Sequence, residues 1–394
     1  MQLPTLSKKR PDADTEETQV SEAPAPTSAE ASASAIEKLN GKVRHEGLTG
    51  LDISMNTLAA ARVSDGRVRS ASVTTVDPGL IVDGEIADPA ALGAVIADFF
   101  AGNAMPNKVR IGIASPRVVI RTIEMPVITD RKEFAAAVRF EAGDHIPMPI
   151  DEAILDYQVL DTIPGADTGD QPKFRVMLVA ASRSLIDGVI ETANFAGIKL
   201  QGVDLSAFGL IRALYPGDAA AHETIAYLHF GDILNVVLAE GRVCKFTRAT
   251  PVGYGSMVDA LAERVNLTRE HAQMWLGHVG MTAPVDSIQG DRDIVLAARQ
   301  AMTDAVDRAA NDLVAAIDFH SVQESSARVS SLVLAGPGAG IPGVAEAISQ
   351  RSGLMVTAPA PLGALDDSAL AGSGIDERLL TLAAGLALEE VAAQ

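Results

Sequence analysis

Ile225-Ala-Tyr-Leu-His229 reads as a strand, Phe230-Gly231-Asp232 as a tight turn, and Asn235-Val-Val-Leu-Ala-Glu240 as a second strand. Gly241-Arg242 supplies a hairpin turn and Val243-Cys-Lys-Phe-Thr-Arg248 a third strand. Pro251-Val252-Gly253 ends the sheet, and a helical pattern begins near Met257. The spacing predicts a small antiparallel meander. Its first turn is centred on glycine, so backbone N–H groups there can approach an anion with no side chain in the way. A plain structural hairpin is the other reading of this stretch taken alone.

The same arrangement occurs earlier. Gly50-Leu-Asp52-Ile-Ser54-Met-Asn56-Thr57 lies between two apolar runs, with Leu58 to Val63 as the second strand, Ser64-Asp65-Gly66-Arg67 as the hairpin turn and Val68 to Val76 as the third. Two such units, each opening one half of the chain, predict a duplicated fold with a cleft between the halves. A third element follows at Ser331-Leu-Val-Leu-Ala335, a buried-type strand that runs into Gly336-Pro-Gly-Ala-Gly340 and then a helix. Glycine-rich strand-to-helix loops are where backbone passes close to nucleotides.

Two phosphate-type hairpins and a late glycine-rich loop resemble the actin-like ATPase superfamily, which includes actin, Hsp70, sugar kinases and the division protein FtsA. Within it, Val82-Asp-Gly-Glu-Ile86, Arg121-Thr-Ile-Glu-Met-Pro126, Arg139-Phe-Glu-Ala142, Ile146-Pro-Met-Pro-Ile150 and Leu155-Asp-Tyr-Gln-Val-Leu160 resemble the PilM family of type IV pilus machines. Pro251-Val-Gly253 and Ile317-Asp-Phe-His-Ser-Val-Gln323 do so too, and the similarity runs in order from about residue 46 to about 390. The resemblance implies an α/β actin-like fold of two lobes around a cleft, with a small inserted α+β subdomain.

The division of the chain follows. Residues 1–44, rich in Ala, Ser, Pro and Glu, lack the bulky apolar residues needed to offset chain entropy and read as a disordered tail. Residues 45–120 form the first lobe, with a helix opened by Asp88-Pro89. Residues 121–201 read as the inserted subdomain, with helices begun at Thr129-Asp130 and Ser182-Arg-Ser184. Residues 202–394 form the second lobe, which contains a helix after Leu267-Thr268 and a long helix from Asp291. That helix shows Ile294, Leu296, Ala301, Val306, Leu313, Ile317 and Phe319 as its apolar face. A final helix near Arg378 to Ala392 returns to the first lobe.

Composition bounds the function. A net charge of −19 disfavours a general binder of nucleic acid or membrane surface. The single cysteine, Cys244, allows no internal disulfide and suits a reducing compartment. No apolar run reaches the roughly 18 residues of a membrane span. These features suit the cytoplasm, and the resemblance implies a place at the inner face of the plasma membrane through partners, with a homo-oligomer left open.

By resemblance, the three loops imply ATP with Mg²⁺, held by Asp52, Ser54, Asn56, Thr57, Gly231, Asp232, Asn235, Gly336 and Gly338, with Asp52 toward the metal. Four departures weaken that expectation. Ser54 stands where the family has glycine, His229 where it has aspartate, Pro337 removes an N–H donor, and Gln273 replaces an acidic residue. The resemblance also implies a groove for the cytoplasmic N-terminal tail of a membrane protein, PilN, with Arg121, Phe140, Ile146, Ile150 and Tyr157 as the candidate lining. No catalytic residue is assigned. His271 and His278 lack partners at ligand spacing, and Gly253-Tyr-Gly-Ser256 lacks the glycines of a nucleophile elbow. The expected function is an adaptor of pilus or related filament assembly. The alternatives are an actin-fold kinase, which needs an aspartate base and intact phosphate loops, and an FtsA-like filament former, which needs a basic amphipathic C-terminal helix.

Overall fold

The computed structural model describes residues 47–165, 171–217, 220–322 and 327–389, so the tail expected over residues 1–44 and the last five residues lie outside it. The first meander folds as β1 (Thr49–Ile53), β2 (Thr57–Ser64) and β3 (Arg67–Thr75). Successive side chains of a strand face opposite sides, and β2 serves two cores accordingly. Leu58 and Ala60 join one apolar cluster, and Ala59, Ala61 and Val63 join another. Behind a β4–β5 hairpin (Ile81–Val82, Glu85–Ile86), α1 (Pro89–Gly102) begins where the Asp88 carboxylate accepts from the N–H groups of Ala90 and Ala91. β6 (Lys108–Ile113) runs parallel to β1, and β10 (Lys199–Leu205) parallel to β6, giving the order β10-β6-β1-β2-β3.

Between β6 and β10 the chain leaves this sheet to build a second unit. β7 (Val118–Pro126), β8 (Ala153–Ile163) and β9 (Lys173–Ser182) form an antiparallel sheet in the order β7-β9-β8. α2 (Arg131–His145), capped by Asp130, lies over it. Phe134 is edge-on to Phe174 at 5.8 Å and to Tyr157 at 5.3 Å, and Val138, Ala142 and Ile146 complete the core.

The inserted unit is shorter than residues 121–201. α3 (Arg183–Phe195) buries Leu185, Val189 and Ala193 in the same cluster as Leu92, Ile96 and Phe99 of α1, and β10 belongs to the first sheet. Ser182 precedes α3 without capping it, its hydroxyl standing 2.9 Å from that of Ser184.

The second meander, β11 (Thr224–Phe230), β12 (Leu234–Glu240) and β13 (Val243–Thr250), is extended by β14 (Val329–Ala335) and the two-residue β15 (Val356–Thr357), in the order β13-β12-β11-β14-β15. β14 lies parallel to β11, as β6 does to β1. Against one face pack α5 (Tyr254–Val265), α6 (Arg269–Val279, capped by Thr268), α7 (Arg292–Ser321, capped by Asp291) and α8 (Val344–Ser352). The buried stripe of α7 is mainly Val295, Ala298, Met302, Ala305, Ala309 and Leu313. Leu296 and Phe319, expected inside, are 46% and 44% exposed. Small alanines let the helix lie close to the sheet, and the larger side chains flank the contact.

The lobes meet around α4 (Ser206–Leu214), whose Leu210, Ile211 and Leu214 share one cluster with Ile111 and Leu205 of the first lobe and with Ile225, Tyr227, Val237 and Cys244 of the second. α9 (Thr381–Ala387) packs on β1 and β2 of the first lobe and on α4. Glycine makes this approach close, because a Cβ at Gly50 would stand 2.0 Å from the Ala383 carbonyl oxygen. Arg110 donates to the carbonyls of Leu386 and Leu388, at 3.1 and 3.0 Å, and Arg212 donates to that of Gly385 at 2.9 Å. These donors satisfy carbonyls that a helix end leaves without intrahelical partners.

Candidate functional site

Two places collect the residues singled out in the sequence. One is the cleft where the two meander turns face each other. Asp52, at the end of β1, is buried, and its oxygens accept from the hydroxyls of Ser54 at 3.1 Å and Ser206 at 3.5 Å. Burial raises its pKa to about 6, and the nearby Asp232 carboxylate adds to the rise against those two hydrogen bonds. Asp232 is also buried, and burial lifts its pKa above the ordinary carboxylate range. Its Oδ2 accepts the backbone N–H of Asn56 at 3.0 Å, which joins the two turns across the cleft.

Two further donors of the first turn, Ser54 and Thr57, are engaged locally. The Ser54 N–H donates to Thr57 O at 2.9 Å, and the Thr57 N–H to Ser54 O at 3.4 Å. In the second turn, Gly231 O accepts the N–H of Tyr254 at 2.6 Å. Gly253 is required here, since a Cβ would stand 2.1 Å from that carbonyl oxygen.

The third loop closes on the second. A Cβ at Gly338 would lie 2.6 Å from the Phe230 ring, and one at Gly336, where φ is +85°, would lie 3.0 Å from His229 Nε2. A Cβ at Gly231 would meet the adjoining edge of the same imidazole, 2.6 Å from its Cε1 and 2.9 Å from its Nδ1. His229 therefore fills the gap between these loops, and burial holds its pKa down to about 4, so it is neutral. Asn235 accepts, through its side-chain oxygen, from the Thr247 hydroxyl at 3.0 Å. It lines a small interlobe cavity of about 10 Å³ with Ser115, Leu205 and Ala207, room for about one water. Among the described residues no group of three or more His, Cys, Asp or Glu side chains is placed to hold a metal ion.

The second place is the outer side of the inserted unit. Phe140, on α2, is 85% exposed rather than part of the helix's buried face. With Ala136, Arg139, Gly143 and Ile150 it lines a shallow hollow of about 360 Å³. Arg139 reaches Asp151 at 3.1 Å beside it. The candidate lining is divided by the structure. Ile146 is 8% exposed and belongs to the core, and Tyr157 packs edge-on to Phe134 at the margin of that core. Arg121 lies elsewhere, its guanidinium 6.0 Å from the ring centre of Phe319 in the second lobe. Sequence reasoning missed Ala136 and Gly143, whose small size opens the hollow. Their i, i+4 and i, i+3 spacing to Phe140 on one helix face was the signal available.

Two lobes opened by like meanders, an apolar helix between them and an inserted α+β unit define an actin-like ATPase fold. The family model for the type IV pilus assembly protein PilM matches residues 50–391, and the chain belongs to that family. A solved structure described as a PilM–PilN type IV pilus biogenesis complex is 22% identical, with a TM-score of 0.71 over 87% of this chain and 98% of that one. The ethanolamine utilization protein EutJ from Carboxydothermus hydrogenoformans is 12% identical, with a TM-score of 0.50 over 91% of this chain and 95% of its own.

The fold implies a nucleotide with Mg²⁺ in the cleft, and several backbone donors of the loops that would hold its phosphates are bonded within the protein. Phosphate loops work through inward N–H groups left open for the anion. Here those of Ser54, Asn56 and Thr57 are spent on protein acceptors, and Pro337 has none to offer.

Proposed function

We propose that the chain is an adaptor in type IV pilus assembly that takes up the cytoplasmic tail of a PilN-like inner-membrane protein. It thereby sits at the inner face of the membrane through that partner. No described helix is long and apolar enough to cross a bilayer itself. The observation that carries this reading is the Phe140 hollow, an aromatic side chain left in water on a family member's inserted unit. Exposed apolar surface with polar surroundings is a mark of recognition sites. Asp144 and Asp151, next in sequence to the lining residues Gly143 and Ile150, are exposed, and cytoplasmic tails beside membrane spans are rich in Lys and Arg. Ile150 and Phe140 supply the apolar contact, and burying one or two anchor residues of the tail contributes about 1.5–3 kcal/mol each.

The same reading makes nucleotide binding weak, since the loops that would hold phosphates bond to one another. Fluorescence anisotropy with the synthetic partner tail tests the adaptor role. Phe140→Ser should weaken binding tenfold or more with an unchanged melting temperature. Unaltered binding by that variant and by Ile150→Ser would move the docking site elsewhere.

A further inference from the structure

We propose that Asp232 is a built-in anion that closes the cleft, its carboxylate taking the loop donor a phosphate would otherwise occupy, so that the lobes are held together without nucleotide. The inference rests on the reading of a weak nucleotide site and states what replaces the ligand there. The bond from Asn56 N–H to Asp232 Oδ2 joins residues 176 positions apart, one in each lobe. The surroundings are shaped for that carboxylate. At Gly255 a Cβ would stand 2.4 Å from Asp232 Oδ1, so only glycine lets the start of α5 come this close. α5 is 12 residues long, and its N-terminal end presents the positive side of the helix dipole to the carboxylate. Arg269, itself paired with Asp259, adds favourable charge from α6.

Asp52, bonded to Ser54 and Ser206, is the like charge across the cleft, and Tyr254 packs beside Asp232 at the start of α5. Below them the apolar cluster running through α4 is continuous between the lobes, so closure needs no ligand to fill a void. A triphosphate would have to displace the Asp232 carboxylate from Asn56 and sit beside two buried acidic groups.

Hydrogen exchange and thermal melting of the full chain test this directly. Without nucleotide, the Asn56 amide should be protected, and Asp232→Ala should speed its exchange at least tenfold. Asp232→Asn, which keeps shape and an acceptor oxygen but removes the charge, should give a smaller acceleration in the same direction, and it carries the test if the alanine variant does not fold. Mg-ATP or Mg-ADP at about 5 mM should move the wild-type melting temperature by less than about 1 °C, because ligand stabilisation follows the ratio of ligand to Kd. A rise of several degrees, or Asn56 exchange indifferent to both substitutions, overturns the proposal. Tail-peptide binding measured on the same samples separates the two readings. Lost capture with Asn56 still protected refutes the adaptor role and leaves the closure standing.

Discussion

Gly385 of α9 lies so close to Gly209 of α4 that a Cβ at position 385 would stand 1.9 Å from the Gly209 carbonyl oxygen. The crossing is backbone on backbone, and it fastens the C-terminal helix to the helix that joins the lobes. Gly385→Ala should therefore force α9 off its seat. Overpacking of this kind costs about 1–3 kcal/mol, read as a lower urea midpoint. Gly188→Ala, at a helical glycine with open space around it, is the control and should be neutral or slightly stabilising.

The same helix end is held by charge. Asp204 pairs with Arg212 and lies 3.9 Å from Arg110, whose side chain is 3% exposed, and both arginines donate to carbonyls at the end of α9. Asp204→Asn removes the carboxylate that two enclosed guanidinium groups share. The expected loss is about 3 kcal/mol, measured by denaturant unfolding. A change within a few tenths would show that the carbonyls alone hold the arginines.

Helix starts were legible because their chemistry is local. Asp88, Asp130, Thr268 and Asp291 each cap the helix that begins beside them. The paired meanders were legible from period-two patterning and glycine turns. What escaped were relations between distant residues. α3 is amphipathic and would satisfy either unit, so only its packing on α1 assigns it to the first lobe. On α7 the buried stripe is mostly alanine, which a search for bulky apolar residues passes over. In the cleft, Asn56 and Asp232 were both singled out as ligands of one nucleotide, yet no local pattern encodes that they bond to each other.

Arg121 offers a case where placement changes the expected phenotype. Its guanidinium stands over Phe319, and the Phe319 ring lies 5.4 Å from that of Phe246, so the inserted unit touches the second lobe there. A double-mutant cycle of Arg121→Ala and Phe319→Ala should give a coupling of about 0.5–1 kcal/mol, the range for partly exposed cation–π pairs. Arg121→Ala should leave tail-peptide affinity unchanged, because the contact is remote in kind from the Phe140 hollow. Additive stabilities, or a loss of capture, would return Arg121 to the partner surface.

His229 and Asp52 make opposite contributions to the pH dependence of stability. Burial lowers the His229 pKa to about 4, against about 6.5 in an unfolded chain. The unfolded state thus takes the proton first. The contribution is complete above about pH 6.5 and is lost as pH falls toward 4. Burial raises the Asp52 pKa to about 6, so the folded state takes that proton first, and its contribution grows as pH falls from 6 toward 4. The two partly cancel in the wild type. His229→Gln removes only the first, so the difference between the two proteins isolates the imidazole. Urea unfolding between pH 7.5 and 4.5 should show the wild type losing more stability than the variant, by about 2 kcal/mol at pH 5. Parallel curves would mean that the imidazole is charged or hydrated within the fold and does not fill the gap between Gly231 and Gly336 as a neutral group.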